Sequence, residues 1–422
     1  METTDEQLQE KNTSKKEKIK TMLVAAANTS GQQFYFNYAN LVAVGIGASP
    51  IEMSFITSIQ NLGSALLQGF FGRLSDKIGR KIILLLGFII ATITTAFLAY
   101  NSSTVIFMII IAVYSIGISM IVPSWNALVG DISTEKSRVK ILGQLGMIGT
   151  ITASIILLIL GFLTDYLPFP ETYWIFPEGL TDYKYRFMMF CGALLFALAS
   201  IFVIFLQETN RFKAKNPFQS IKKTFQNRKF AIFTAVTLVW WFAMSFLWPL
   251  NPYILKRLNP SSAEVAILSA VFSASMAIAQ ISAKRIVNKI GRKMTIFVGL
   301  ISFCLVPFIL IFSYYWYIII FANIFGGASN GIVMVAVNAE ILDMADLKNK
   351  GTYTGAYNLM MGVVTFCGSF LCGIIFEFVT KGISYFENSF FYILQITLIV
   401  LTITRLGAAV PVLIYALKNR QA

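Results

Sequence analysis

The hexapeptide Asp76-Lys-Ile-Gly-Arg-Lys81 returns 212 residues later as Asn288-Lys-Ile-Gly-Arg-Lys293, half the length of a 422-residue chain. The same offset carries Glu52 onto Glu264, Gln68 onto Gln280, Asn126 onto Asn338, Asp131 onto Asp343 and Gly143 onto Gly355. It needs no gap from Ser49 and Ser261 to Gly143 and Gly355. The chain is one structural unit written twice, and a repeat decides architecture before any local signal does.

Both copies lie in apolar surroundings. The chain is 56% hydrophobic and 13% charged, about half the charge of an ordinary soluble domain. Apolar stretches of about 20 residues, each long enough to cross a bilayer core, recur from end to end. We read twelve: 21–45, 50–71, 81–100, 104–129, 140–163, 185–206, 230–254, 263–283, 293–313, 316–341, 353–376 and 389–416. The organisation expected is a tail (1–20), a six-helix bundle (21–206), a central loop (207–229), a second six-helix bundle (230–416) and a short tail (417–422).

An even number of spans puts both termini on one side. With the termini in the cytoplasm, inner segments hold 28 of the 34 Lys and Arg, and outer loops hold five: Lys184, Arg186, Lys256, Arg257 and Lys381. Arg405 falls inside span 12. That asymmetry is the positive-inside pattern of a plasma-membrane protein. It accounts for the net charge of +14 through lipid headgroups, without nucleic acid.

Several functions are excluded by what is missing. The chain has no His and no Gly-x-x-x-x-Gly-Lys-Ser/Thr, so His-based metal sites, His general bases and a P-loop are absent. Cys191, Cys304, Cys367 and Cys372 all sit in expected spans and read as small apolar packing residues. The first twenty residues have no apolar core and are not a signal peptide. No nucleophile–base pair is visible, so the chain is not read as an enzyme and no cofactor is expected.

Twelve spans in two halves, with Gly72-Arg-Leu-Ser-Asp76-Lys-Ile-Gly79-Arg80-Lys81 between spans 2 and 3, resemble the major facilitator superfamily. The pattern matches that family's loop signature at Gly72, Asp76, Lys77, Gly79, Arg80 and Lys81. The second copy departs from it, with Lys284 in place of Gly72 and Asn288 in place of Asp76. The resemblance implies an all-α membrane protein that rocks two bundles around a central solute site.

The motif has a physical reading of its own. Two glycines allow a very tight turn, and Asp76 precedes a helix N-terminus, where a carboxylate is favoured. We expect a cytoplasmic latch built on Asp76 and Arg80, weaker in the second half, where Asn288 brings no charge. Asp131 and Asp343 lie near helix C-termini, where negative charge is disfavoured, so we expect the pairs Asp131–Arg80 and Asp343–Arg292. Ser49-x-x-Glu52 and Ser261-x-x-Glu264 read as capping boxes that open spans 2 and 8. Glu340 and Arg405 replace Leu128 and Ala193 of the first half, and a mid-membrane Arg needs a partner. We expect a Glu340–Arg405 pair, direct or through water.

Repeat transporters bind solute near the midplane, and the resemblance implies that spans 1, 4, 7 and 10 line the cavity. Gln33, Asn37 and Asn40 share one face of span 1, with Tyr35 and Tyr38 nearby. Span 4 offers Tyr114, Ser115 and Ser119. Span 7 offers Trp240 and Trp241, and span 10 offers Asn323, Ser329 and Asn330 beside Gly326 and Gly327. Span 11 adds Tyr357 and Asn358. Interhelical hydrogen bonding explains such residues equally well. In span 5, Gly143, Gly146 and Gly149 form a stripe suited to close helix contact.

Amides, hydroxyls and indoles without a central charge suit a neutral or weakly charged organic solute. The expectation is a monomeric transporter of a small organic solute, working by facilitated diffusion or coupled through Glu340, with protons as the coupling ion. Multidrug efflux by proton antiport is the alternative, and a solute sensor that moves nothing is a third reading.

Overall fold

The computed structural model describes residues 2–131, 135–166, 180–207, 224–345, 350–384 and 387–418, with the backbone alone at 2–16, 64, 130–131, 135–140, 142 and 350–351. The described residues form thirteen helices: α1 (Glu2–Gly45), α2 (Pro50–Ile78), α3 (Arg80–Tyr100), α4 (Thr104–Asp131), α5 (Glu135–Tyr166), α6 (Tyr183–Ile204), α7 (Arg228–Ser245), α8 (Asn251–Leu258), α9 (Ser262–Ile290), α10 (Arg292–Leu310), α11 (Ile318–Met344), α12 (Lys350–Thr380) and α13 (Asn388–Lys418). Nine of them, α3 to α6 and α9 to α13, are long and apolar enough to cross a membrane. α2 is diluted by Ser54, Thr57, Ser58, Gln60 and Asn61 in its middle.

The expected span 230–254 is two helices. α7 ends at Ser245 and α8 begins at Asn251, with Pro252 in its first turn. Proline lacks an N–H and disfavours helix at the residue before it, so Pro249 and Pro252 interrupt what composition alone reads as continuous. The other spans start and stop within a few residues of expectation, except that α1 begins in the tail and α2 and α9 run on to the loop motif.

The chain packs as two compact units. One comprises Met1–Ala39, Leu66–Ser102 and Ile109–Lys215, and the other Asn40–Ala65, Ser103–Met108 and Asn216–Ala422. In the first, glycines set the closest approaches. A Cβ on Gly31 would sit 2.9 Å from the Phe196 ring, and one on Gly192 would sit 2.8 Å from Phe34 Cβ, which brings α1 against α6. Of the α5 stripe only Gly149 makes a close contact, with Thr29 and the Ala25 carbonyl; Gly143 and Gly146 face open space. The stripe reads as a close-contact face, but two of its three glycines meet nothing among the described residues.

In the second unit α11 lies against α9 through Gly327 and Gly331, whose missing side chains admit the carbonyls of Phe272 and Met276. α12 uses Gly362, Gly368 and Gly373. A Cβ at Gly362 would meet Ala65 Cβ at 2.7 Å, and one at Gly373 would meet Ser54 and the Pro50 carbonyl. The first half of α2 is thereby seated on α12, and Ser58 donates to the Phe366 carbonyl at 3.2 Å in the same seam. Tyr253 of α8 donates to the Ala48 carbonyl at 2.6 Å, and the Ile51 N–H donates to Glu377 at 3.3 Å. Both expected capping boxes form: Glu52 accepts from the Ser49 N–H at 2.9 Å, and Glu264 accepts from the Ser261 N–H at 2.7 Å.

One of these approaches makes a stability prediction. A Cβ on Gly368 would meet Ser245 and sit 2.7 Å from the Phe242 carbonyl oxygen, and a backbone atom has little room to yield. Gly368→Val should lower stability by about 1–3 kcal/mol through overpacking. Gly143→Ala, in open space, should stay within about 0.5 kcal/mol of the parent. Thermal unfolding of the purified protein in detergent checks both.

Candidate functional site

The loop motif closes each repeat in the same way. Gly79 and Gly291 take φ of 132° and 81°, values that only glycine adopts without strain, and the next residue starts a helix. Arg80 then donates to the Ala127 carbonyl at 2.7 Å, near the C-terminal end of α4. Arg292 donates to the Ala339 carbonyl at 3.3 Å, near the end of α11. Ala127 and Ala339 are themselves 212 residues apart, so the repeat preserves this bond. A cation at a helix C-terminus also favours the helix dipole. Lys81 adds a bond to the Ile204 carbonyl at the end of α6, at 2.6 Å.

The carboxylates around these arginines differ. Asp76 pairs with Arg80 at 3.2 Å, one turn away. At the equivalent place in the second half stands the exposed Asn288, and Arg292 pairs instead with Asp343 and with Glu340, the latter at 3.4 Å. The expected Asp343–Arg292 pair is formed. The side chain of Asp131, and with it the expected Asp131–Arg80 pair, lies outside the described residues. So do residues 208–223 of the central loop and 419–422 of the C-terminal tail.

The expected Glu340–Arg405 pair is not formed. Glu340, nearly buried, is met by Arg292, by Lys293 at 3.8 Å and by the Tyr415 hydroxyl at 3.5 Å. Lys293 also stands over the Tyr415 ring. Arg405 is fully buried and donates to the carbonyls of Met244 at 2.9 Å and Phe303 at 3.3 Å. Depth is the physical reason. Glu340 lies about 6 Å from the end of its helix and Arg405 about 20 Å from the end of its own. Pro307 has no N–H to give the Phe303 carbonyl, four residues earlier, and Arg405 supplies the missing donor; the Met244 carbonyl, in the last turn of broken α7, also accepts from the Leu247 N–H at 3.4 Å. Sequence held a signal for this in Pro307, Pro249 and Pro252. Arg186 does the same work in the first unit. It is fully buried and donates to the carbonyls of Thr181, Ala99 and Asn101 at 2.7 to 2.9 Å; its sequence position had suggested an outer-loop cation.

The expected cavity residues divide into two groups. Gln33 and Asn37 are half-buried on one face of α1 and bonded together, Asn37 donating to the Gln33 carbonyl at 2.6 Å and to its side chain at 3.3 Å. Asn330 is half-buried and Asn358 exposed. The aromatic candidates are packed. Tyr114 stacks on Tyr35 at 3.8 Å, and Trp240 meets Trp241 at 5.2 Å and Phe303 at 5.3 Å. Trp241 donates its indole N–H to the Tyr357 hydroxyl at 3.0 Å. The Tyr114 hydroxyl and the Trp240 indole N–H are buried with no hydrogen-bond partner among the described residues. Asn323 donates to the Leu268 carbonyl at 2.8 Å, an interhelical bond. All four cysteines are free, and the described residues hold no metal-ligand cluster.

Comparison with known proteins agrees with this architecture. The model of the Major Facilitator Superfamily matches residues 21–240 and again 233–417. Multidrug resistance protein 2 of Bacillus subtilis is 27% identical over 179 residues, 42% of this chain and 45% of that protein. The quinolone resistance protein NorA of Staphylococcus aureus is 25% identical over 141 residues, 33% of this chain and 36% of that protein. The chain thus spans under half the length of these curated relatives. Among solved structures, the nucleoside transporter NupG superposes with a TM-score of 0.72 at 12% identity, covering 93% of this chain and 98% of that one. A bacterial homologue of the human lysosomal transporter Spinster superposes at 0.71 and 15% identity, covering 96% and 97%. These two likenesses concern the fold.

The Phe303 carbonyl at Arg405 gives the prediction. Arg405→Gln should destabilise the protein by about 1–3 kcal/mol through that carbonyl left unsatisfied. Glu340→Gln in the same chain should give no relief, with a coupling below about 0.5 kcal/mol. A double-mutant cycle on thermal stability measures it, and a coupling well above that value would restore the Glu340–Arg405 pair.

Proposed function

The chain belongs to the major facilitator superfamily, and from that premise we propose that it moves a neutral or weakly charged small organic solute by alternating access. Transport of some solute across a membrane is what the family does. The finer reading rests on one observation. Spans 1, 4, 7 and 10, which the resemblance turns inward, carry no Asp, Glu, Lys or Arg over residues 21–45, 104–130, 230–245 and 318–339, whereas α1 carries the bonded amides Gln33 and Asn37. An inorganic anion or a strongly charged metabolite would need a counter-charge there, because a polar solute is held in hydrocarbon only by groups that replace its water.

In this reading Gln33, Asn37, Asn330 and Asn358 contact solute. Tyr114, Trp240 and Trp241 belong to the same set, the first two bringing buried hydroxyl and indole donors with no hydrogen-bond partner among the described residues. The chain works as a monomer in the plasma membrane. Both termini are cytoplasmic on the strength of the Lys and Arg distribution, and the bundles are those of residues 21–206 and 230–416. Asp76, Arg80 and their loop serve as a cytoplasmic latch. A second reading, drug efflux, is favoured by the names of the Bacillus and Staphylococcus relatives.

Uptake into proteoliposomes, with and without an imposed proton gradient, over sugars, nucleosides and cationic dyes tests the proposal. The expected result is saturable movement of an uncharged solute. Dye movement alone, driven by the gradient, would select efflux, and no movement of any solute would end both readings. Gln33→Ala and Asn37→Ala should raise KM about tenfold at normal expression, the loss of about 1.4 kcal/mol of binding. For the latch, Asp76→Asn should slow transport several-fold and Asn288→Ala less than twofold; equal rates in both variants and the parent would remove it.

A further inference from the structure

α12 and α13 are neighbours in sequence, yet both lean on α7 and barely on each other. The gap between them is a groove of about 250 Å³, floored by Phe242 and Ala243 of α7 and by Phe246 just after it. Its walls are hydrocarbon. The lining residues Ile375, Val379 and Val400 are each about half exposed, at 51%, 52% and 51%. Two hydroxyls reach it, and both are turned to their own helix: Thr397 donates to the Ile393 carbonyl at 2.8 Å and Thr404 to the Leu401 carbonyl at 3.0 Å. Such a groove attracts neither water nor a polar solute, because an apolar cavity offers them no replacement bonds.

In a membrane protein this face is bathed by lipid. The α12 lining runs from Cys372 to Val379, the last two turns before the helix ends at Thr380, and the exposed Lys381 follows at once. Apolar walls that end beside a cation match an acyl chain that ends beside a phosphate. We propose that this groove holds one acyl chain of a membrane phospholipid, with the phosphate beside Lys381. The site is separate from the solute site. Its floor is the end of α7, where Arg405 holds the Met244 carbonyl and Ser369 donates to the Ser245 carbonyl at 3.0 Å. An acyl chain there fills the space next to the helix break and braces it.

The test uses the full chain in vesicles of phosphatidylethanolamine and phosphatidylglycerol, the latter carrying a diazirine in mid-chain. After photolysis, adducts are mapped by peptide mass spectrometry. Adducts should concentrate at 372–379 and 397–404, at least fivefold above Ile151, Ile155 and Ile159 of α5, which are equally exposed. Val400→Trp, which fills the groove, should remove that excess and leave α5 labelling unchanged; Thr404→Trp is the second variant. A diazirine fatty-acid methyl ester, which has no phosphate, should label the groove several-fold less. Labelling in proportion to exposure overturns the proposal, as does an excess that survives both tryptophans. Adducts displaced by a transported solute, with the tryptophans silent, would make the groove part of the solute path and overturn it equally.

Discussion

A backbone carbonyl inside a bilayer must find a donor within the protein, and at several places where helices of this chain break or end an arginine supplies it. Arg405 bonds the carbonyl that Pro307 leaves free and another at the end of α7. Arg186 gathers three carbonyls around the end of α3 and the start of α6. Arg80 and Arg292 bond the ends of α4 and α11. Guanidinium suits this work because its donors form a planar fork that reaches several acceptors at once. The break after Ser245 is tolerable within the membrane because of the Arg405 bonds, and at the loop ends Arg80 and Arg292 tie the turns at Gly79 and Gly291 to neighbouring helices.

The repeat shows which parts of that arrangement are interchangeable. Arginine-to-carbonyl contact is kept in both halves at the same offset. The carboxylate beside the arginine is not kept in place. In the first half it comes from Asp76 in the loop. In the second half the loop has Asn288, and the negative charge comes from Glu340 and Asp343 on α11. The degenerate second motif is therefore still neutralised, from a helix rather than from a turn. An arginine near a helix end needs a counter-charge within a few ångströms, and chain position matters less than distance.

Much of this was legible in the sequence. Apolar length gave the spans, the 212-residue offset gave the two halves, and Ser49-x-x-Glu52 and Ser261-x-x-Glu264 gave helix starts, because each signal is local or periodic. What sequence could not give was depth across neighbouring helices. Glu340 and Arg405 looked like complementary oddities, both missing from the first half, but complementarity in sequence says nothing of axial height. The nearest charges to Glu340 were in the loop one helix away. The break in span 7 was marked by Pro249 and Pro252, yet the apolar stretch through 254 outweighed them. For the cavity, residue type alone does not separate a packed indole from an exposed one. Trp240 and Tyr114 are buried against other rings, while Gln33, Asn37 and Asn358 keep some exposure.

The same arginines bear on the kind of solute that fits. A cation deep in a membrane protein invites the reading of an anion site. Arg405 is the deeply placed candidate, Arg186 lies in the first turn of α6, and both are fully buried. Their side chains already hold backbone oxygens on neighbouring helices. An anion could reach Arg405 only by displacing the Met244 and Phe303 carbonyls, and the Phe303 carbonyl, which Pro307 cannot serve, would lose its donor at a cost of about 1–3 kcal/mol. The positive charge at depth thus belongs to the scaffold. Under the proposed reading, what spans 1, 4, 7 and 10 would offer a solute is amide, hydroxyl and indole, a set suited to hydrogen-bonding groups and aromatic or apolar surface rather than charge.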